Sequence, residues 1–277
     1  MLSRGANQRR RHRCACLRGC QLACGGCWSG LLGLRAKPSK TAGMTRSVWH
    51  GSTPMLTDDP FEGGLPGYIG HVEQKKITVG KFDLAMEVWP AYRIGSSIWP
   101  SGVLLAQALA TGLRGLPTVQ GKEVVELGAG PGVPGLVCGK LGARNVFITD
   151  REELVPLVAR NIELNGLVGT CHAEELDWEH VRSSKLRVSS RGDLGAVDIV
   201  IAADVIYFEE QDPFMDALEQ IMAPGKTWLV LAYRERTPAD RMYVEGRILP
   251  RLVEVHRLDY TMPDHGACEI YVGRLGS

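Results

Sequence analysis

The 277-residue sequence has no apolar stretch near the ~18 residues that a membrane-spanning helix requires. Its most apolar run, residues 197–208, is broken by Asp198 and Asp204, so no membrane partner is expected. Its 33 glycines and 15 prolines follow no fixed period, which excludes a collagen-like chain. Acid is missing altogether from residues 1–57, which carry ten Lys/Arg, whereas residues 58–277 carry 22 basic and 31 acidic side chains. The body has only Cys138, Cys171 and Cys268, too few and too scattered for a disulfide framework; the other five cysteines (Cys14, Cys16, Cys20, Cys24, Cys27) crowd the basic leader. Cys24-Gly-Gly-Cys27 has metal-ligand spacing, but no second Cys/His pair follows at the interval of a zinc ribbon or finger. His172, His180, His256 and His265 share no ligand spacing either, and no metal is expected.

What is present is a chain with 44% apolar and 23% charged residues, long enough to bury a full core. The leader sums to +10 and the body to −9. An acidic body argues against phosphate-backbone binding, so nucleic acid is not expected as a partner. Residues 1–57 read as a disordered leader, either an Arg-rich transit peptide or a segment upstream of a true start at Met44. An acidic body with unpaired cysteines suits the cytoplasm; a transit peptide would direct it to an organelle. Nothing in the sequence demands more than a monomer.

Residues 58–100 read as an N-terminal extension and 101–277 as the main domain. Within the extension, Lys76-Ile77-Thr78-Val79 and residues 84–89 alternate in polarity about Gly80-Lys81, as a strand hairpin does. Pro100-Ser101 opens a helix with Ser101 as its cap, and Leu105, Leu109 and Leu113 recur along one face. Residues 123–127, 145–149, 197–202 and 227–233 are apolar runs of strand length. Helical patterns lie between them: Leu154, Leu157, Val158 and Ile162 before an Asn165-Gly166 cap, and Met215, Leu218, Ile221 and Met222. The alternation predicts an α/β fold, a Rossmann-like doubly wound parallel sheet covered on both faces.

Ligands bind such sheets at the carboxyl ends of the strands. The first strand ends in Glu126-Leu127-Gly128-Ala129-Gly130-Pro131-Gly132, where alternate glycines allow a sharp turn and close approach. A dinucleotide fingerprint needs glycine at position 133, which holds Val133, so a nicotinamide oxidoreductase is disfavoured. The spacing instead resembles motif I of class I S-adenosylmethionine (AdoMet) methyltransferases. Asp150 ends the second strand, where a carboxylate can accept both ribose hydroxyls or merely cap a helix. In Leu176-Asp177-Trp178 the indole offers a flat wall for a base and Asp177 an acceptor for its amine; Trp178 as plain core fits composition equally well. Residues 198–207 form a buried strand ending in Asp204 and Tyr207. Asp204 belongs at the strand-end mouth, because a buried acid needs compensation.

Taken together, Ile98-Trp99-Pro100, Glu126-Leu127-Gly128-Ala129-Gly130, Thr149-Asp150 followed by Asn161-Ile162-Glu163-Leu164-Asn165, Leu176-Asp177-Trp178 and Ala203-Asp204-Val205-Ile206-Tyr207 resemble the family-16 methyltransferases over about residues 68–275. That family includes protein-lysine methyltransferases acting on chaperones and translation factors. The resemblance implies a seven-stranded sheet, AdoMet as cofactor, contacts to it from Trp99, the Gly128-Ala129-Gly130 turn, Asp150, Trp178 and Ala203, with Glu126 helping to fix it, and an acceptor bordered by Asp204 and Tyr207. Pro100 follows Trp99 where the family has Asp or Glu, and the leader has no counterpart. The expected reaction is transfer of methyl to a protein lysine, Asp204 orienting the amine and Tyr207 lining its channel. The alternatives are an arginine, histidine or small-molecule acceptor, or a non-catalytic module retaining the pocket.

Overall fold

The computed structural model describes residues 71–90, 92, 94–183, 197–207 and 212–277; the expectations for residues 1–57 and 58–70 lie outside the described residues. It opens with the hairpin that the alternation predicts, β1 (Glu73–Val79) and β2 (Phe82–Val88), paired antiparallel. Gly80 turns it at φ +58°, and a Cβ there would stand 2.7 Å from the Cβ of Ala110. The hairpin buries Val79, Leu84 and Met86 in the same core cluster as the first helix, α1 (Pro100–Ala110).

Ser101 does not cap α1. Pro100 takes the first helical position, which suits its fixed φ, and Trp99 stands at the cap in extended backbone without a side-chain cap bond. Ser101 is thereby moved into the first turn, where its N–H needs an outside acceptor and finds Asp204 Oδ2 at 3.1 Å.

Then follow β3 (Glu123–Leu127), α2 (Val133–Lys140), β4 (Asn145–Asp150), α3 (Val155–Leu164), β5 (Cys171–Glu175), β6 (Ile199–Ala203), α4 (Asp212–Ile221), β7 (Trp228–Tyr233), α5 (Pro238–Tyr243), β8 (Leu252–Met262) and β9 (Gly266–Leu275). The main sheet has seven strands in the order β5-β4-β3-β6-β7-β9-β8. The first five are parallel, but β9 runs antiparallel to β7 and to β8, which corrects the wholly parallel expectation. Residues 263–265 are too short for a crossover, so the last two strands must form a hairpin.

The apolar strands divide by alternation. Val124, Val146, Ile148, Ile199, Ile201 and Val230 face a core closed by Leu104 and Leu105 of α1, Leu136 of α2 and Val158 of α3. Val125, Phe147, Val200, Leu229 and Leu231 face the other side, closed by Phe214 and Leu218 of α4 and by Val244 and Ile248. Helices on both faces make the sheet doubly wound. The strand order reverses between β3 and β6, and their carboxyl ends open a crevice there.

Candidate active site

At the end of β3 the chain turns through Gly128 (φ +62°) and Gly130 (φ +54°), conformations that glycine adopts without strain. Space is as restrictive as torsion. A Cβ on Gly128 would stand 2.9 Å from Val205 Cγ1 and 3.0 Å from Trp178 Cζ2, and one on Gly130 would run into the Gly95 carbonyl oxygen.

Two acids flank this turn. Asp150 Oδ2 accepts the Gly130 N–H at 2.7 Å and Oδ1 the Arg151 N–H at 2.8 Å, so the carboxylate and the turn fix each other. Two further lone-pair positions remain for a diol. Burial raises the Asp150 pKa, and the amides of Gly130 and Arg151 oppose that rise. Glu126 is buried, with Oε2 accepting the Gly135 N–H in α2 at 2.8 Å. Burial drives its carboxyl well above the usual carboxylate range.

Trp178 follows β5 and leans on Phe214 of α4, ring centroids 5.2 Å apart at 58°. It is thus both core and wall: one part is backed by α4 while another lines the crevice beside Gly128. Asp177 accepts the Glu179 N–H and meets His180 Nδ1 at 2.9 Å; this contact lowers the Asp177 pKa and raises that of His180. Among the described residues Asp177, Glu179 and His180 form the one group with metal-compatible spacing, but its carboxylate and imidazole already bond each other on the surface. His172 has a packing role, stacked on Phe147 at 5.2 Å.

Asp204 stands at the end of β6 with φ +59°, strained for a residue with a side chain, and is 8% exposed. Besides the Ser101 amide on Oδ2 it receives Arg236 Nη2 on Oδ1 at 2.6 Å. Arg236, which the sequence analysis missed, also lies 5.9 Å from the Trp99 ring centre. It stands just beyond the end of β7, so the strand-end rule that singled out Asp150 and Asp204 would have found it. The Trp99 indole N–H donates to the Ile94 carbonyl at 2.8 Å, holding the ring at the mouth. Burial, with the nearby charge of Asp150, pushes the Tyr207 phenol up to about 12, so it stays neutral across the physiological range.

One cavity of about 900 Å³ runs through all of this, and all ten residues singled out as site candidates line it, with Arg236 beside them. The residues fit an AdoMet-type cofactor: the turn is a cradle that any Cβ would fill, a carboxylate with lone pairs to spare holds it, and an indole stands at the adjoining strand end.

Comparison with known proteins agrees. The family model described as lysine methyltransferase matches residues 82–247. Protein N-lysine methyltransferase METTL21A of Danio rerio is 33% identical over 172 residues, spanning 61% of this chain and 74% of that protein. Protein-lysine N-methyltransferase EFM6 of Saccharomyces cerevisiae is 31% identical over 202 residues, spanning 62% and 81%. In fold, the chain matches the Thermus thermophilus 16S rRNA N2 G1207 methyltransferase solved with AdoMet and guanosine, with a TM-score of 0.52, 16% identity and coverage of 76% of this chain and 52% of that one. A Rossmann-like sheet with this cavity at its reversal point, matched by that model over most of its length, belongs to the lysine methyltransferase family, whose cofactor is AdoMet.

Proposed function

We propose that the chain transfers a methyl group from AdoMet to the side-chain amine of a lysine in a protein. In this reading Trp99, Glu126, Gly128, Ala129, Gly130, Asp150, Trp178 and Ala203 serve the cofactor, and Asp204 and Tyr207 the acceptor. One observation carries it: the glycine turn and the Asp204–Tyr207 pair share a single cavity.

When bound, the cofactor supplies an electrophilic methyl on a cationic sulfonium. The chain has to align an amine with it and exclude water. A lysine of pKa ~10.4 is almost wholly cationic at neutral pH and has no lone pair for attack. Entry into a cavity walled by Trp99 and Tyr207 strips water from the ammonium, and that desolvation favours the neutral amine as the form that seats. Asp204 has one oxygen on Ser101 and the other on Arg236, yet each keeps a lone pair for one N–H of the amine. Such a transfer would leave no anion to protonate, so no residue of the chain has to act as an acid. Tyr207, with a phenol near 12, acts as wall and donor rather than base.

Among the described residues Cys138, Cys171 and Cys268 are buried unpaired thiols, which fits a reducing compartment such as the cytoplasm, and no helix is long and apolar enough to cross a membrane. Chaperones and translation factors are the first acceptors to screen. The test is incubation of lysate with methyl-labelled AdoMet and the full chain, followed by amino-acid analysis of the labelled bands. Methyl-lysine is expected; methyl-arginine or no protein label would overturn the acceptor. Asp204→Asn should bind AdoMet as before but turn over about 10²-fold more slowly, the cost of a misplaced acceptor. Undiminished turnover would remove Asp204 from the mechanism.

A further inference from the structure

Asn161 on α3 and Asn165 at its C-cap take no part in this chemistry, yet both are buried, four residues apart and therefore on one side of the helix. That side meets β2 edge-on. Asn165 Oδ1 accepts the Ala85 N–H at 3.1 Å and its Nδ2 donates to the Ala85 carbonyl at 2.8 Å. Asn161 repeats the pattern on Glu87, accepting its N–H at 2.6 Å and donating to its carbonyl at 3.0 Å. The two amides stand in for a third strand beside the hairpin. Each Nδ2 makes a second bond, but Asn165 donates to the Asn161 carbonyl at 2.8 Å, one turn back, whereas Asn161 donates to the Pro131 carbonyl at 2.9 Å. Pro131 lies inside the glycine turn, between Gly130, whose N–H holds Asp150, and Gly132.

One buried side chain thus bonds the hairpin and the cofactor turn at once. We infer that Asn161 is a positioning residue that couples them, so that filling the cofactor side of the cavity firms β2, and loosening β2 weakens cofactor binding. Such coupling is reciprocal. It reaches the mouth of the cavity, because β2 leads into Trp89, whose N–H and carbonyl pair with the Ser96 carbonyl and hydroxyl at 3.2 and 2.6 Å, just before Trp99. This inference rests on the AdoMet reading of the cavity.

The experiment uses the full chain and AdoMet itself. Hydrogen exchange should show the Ala85 and Glu87 amides gaining protection at saturating AdoMet. By calorimetry, Asn161→Ala should bind AdoMet about tenfold more weakly, the loss of roughly one ordinary hydrogen bond, and lose the AdoMet-dependent protection. Asn165→Ala removes the same kind of rung without touching Pro131. It should lower the Tm comparably while leaving the AdoMet Kd within about twofold, a split that a merely structural role for Asn161 would not produce. If Asn161→Ala fails to fold, exchange on the natural chain still decides. AdoMet binding without a β2 response, or equal Kd changes in the two variants, would overturn the coupling alone; no AdoMet binding by the natural chain would overturn the cofactor reading with it.

Discussion

Gly112 and Gly130 hold similar left-handed torsions, φ +64° and +54°, yet their surroundings differ. Nothing lies within 4 Å of a Cβ on Gly112, whereas one on Gly130 meets backbone. Gly112→Ala should therefore cost about 1 kcal/mol, the torsional penalty alone. Gly130→Ala should cost more and abolish AdoMet binding; urea titration and calorimetry separate the two effects, and equal behaviour would mean that torsion alone selects these glycines. Glu126 makes a different prediction. Its folded-state carboxyl is held above its unfolded value, chiefly by burial, so its contribution to stability is complete at low pH. That contribution is lost as pH rises from the ordinary carboxylate range through the raised folded pKa. Glu126→Gln keeps an acceptor for the Gly135 amide but cannot ionise, so its Tm should fall less than that of the natural chain over this window. Superimposable Tm–pH profiles would refute the assignment. The neighbouring Asp150, also raised by burial, adds to the rise at Glu126 through its charge, so the difference between the two profiles reads the coupled pair.

At the level of elements, legibility followed burial. β3, β4, β6 and β7 are closed in on both faces, so their apolar runs announce them. Their ends are less legible: residues 197–202 read as strand but β6 spans Ile199–Ala203, because the Val197 carbonyl accepts the Thr227 hydroxyl and the Asp198 carboxylate the Glu123 N–H. β8 is largely exposed at the sheet edge, with Val253 and Val255 outward among charged residues, and shows no core pattern to read. α5 escaped because its signal is chemical rather than periodic. Thr237 and Asp240 form a capping box, and Asp240 Oδ2 also accepts the Arg236 N–H at 3.0 Å. Through this cap the helix start sets the backbone of the arginine that bonds Asp204. Asp240→Ala should cost about 1 kcal/mol as a lost cap. It should also slow methyl transfer while leaving AdoMet affinity unchanged. Normal turnover in a protein showing the expected stability loss would mean that Arg236 is held by Asp204 alone.

For the molecule as a whole, the sheet separates two cores and the cavity draws on each. The wall at Trp178 is backed by Phe214 from the core beneath α4, and the Ile98 and Ala129 side from the core beneath α1 and α2. A loss of packing should therefore reach the site only where the damaged core touches it. Phe214→Ala should cost about 3–5 kcal/mol and Leu104→Ala about 2–5 kcal/mol, both being fully buried. Both should lower one cooperative transition, since each core is built on the same strands. AdoMet affinity should distinguish them. Without Phe214 the indole of Trp178 loses its support and the Kd should rise about tenfold, a shift of about 1.4 kcal/mol. Leu104 is on the buried face of α1 and does not line the cavity, so its loss should leave the Kd nearly unchanged. Calorimetry on the two variants, well below their Tm values, measures this directly. Equal weakening would mean that the cavity follows the stability of the sheet rather than its local walls, and Trp178 would then be core packing rather than a cofactor surface.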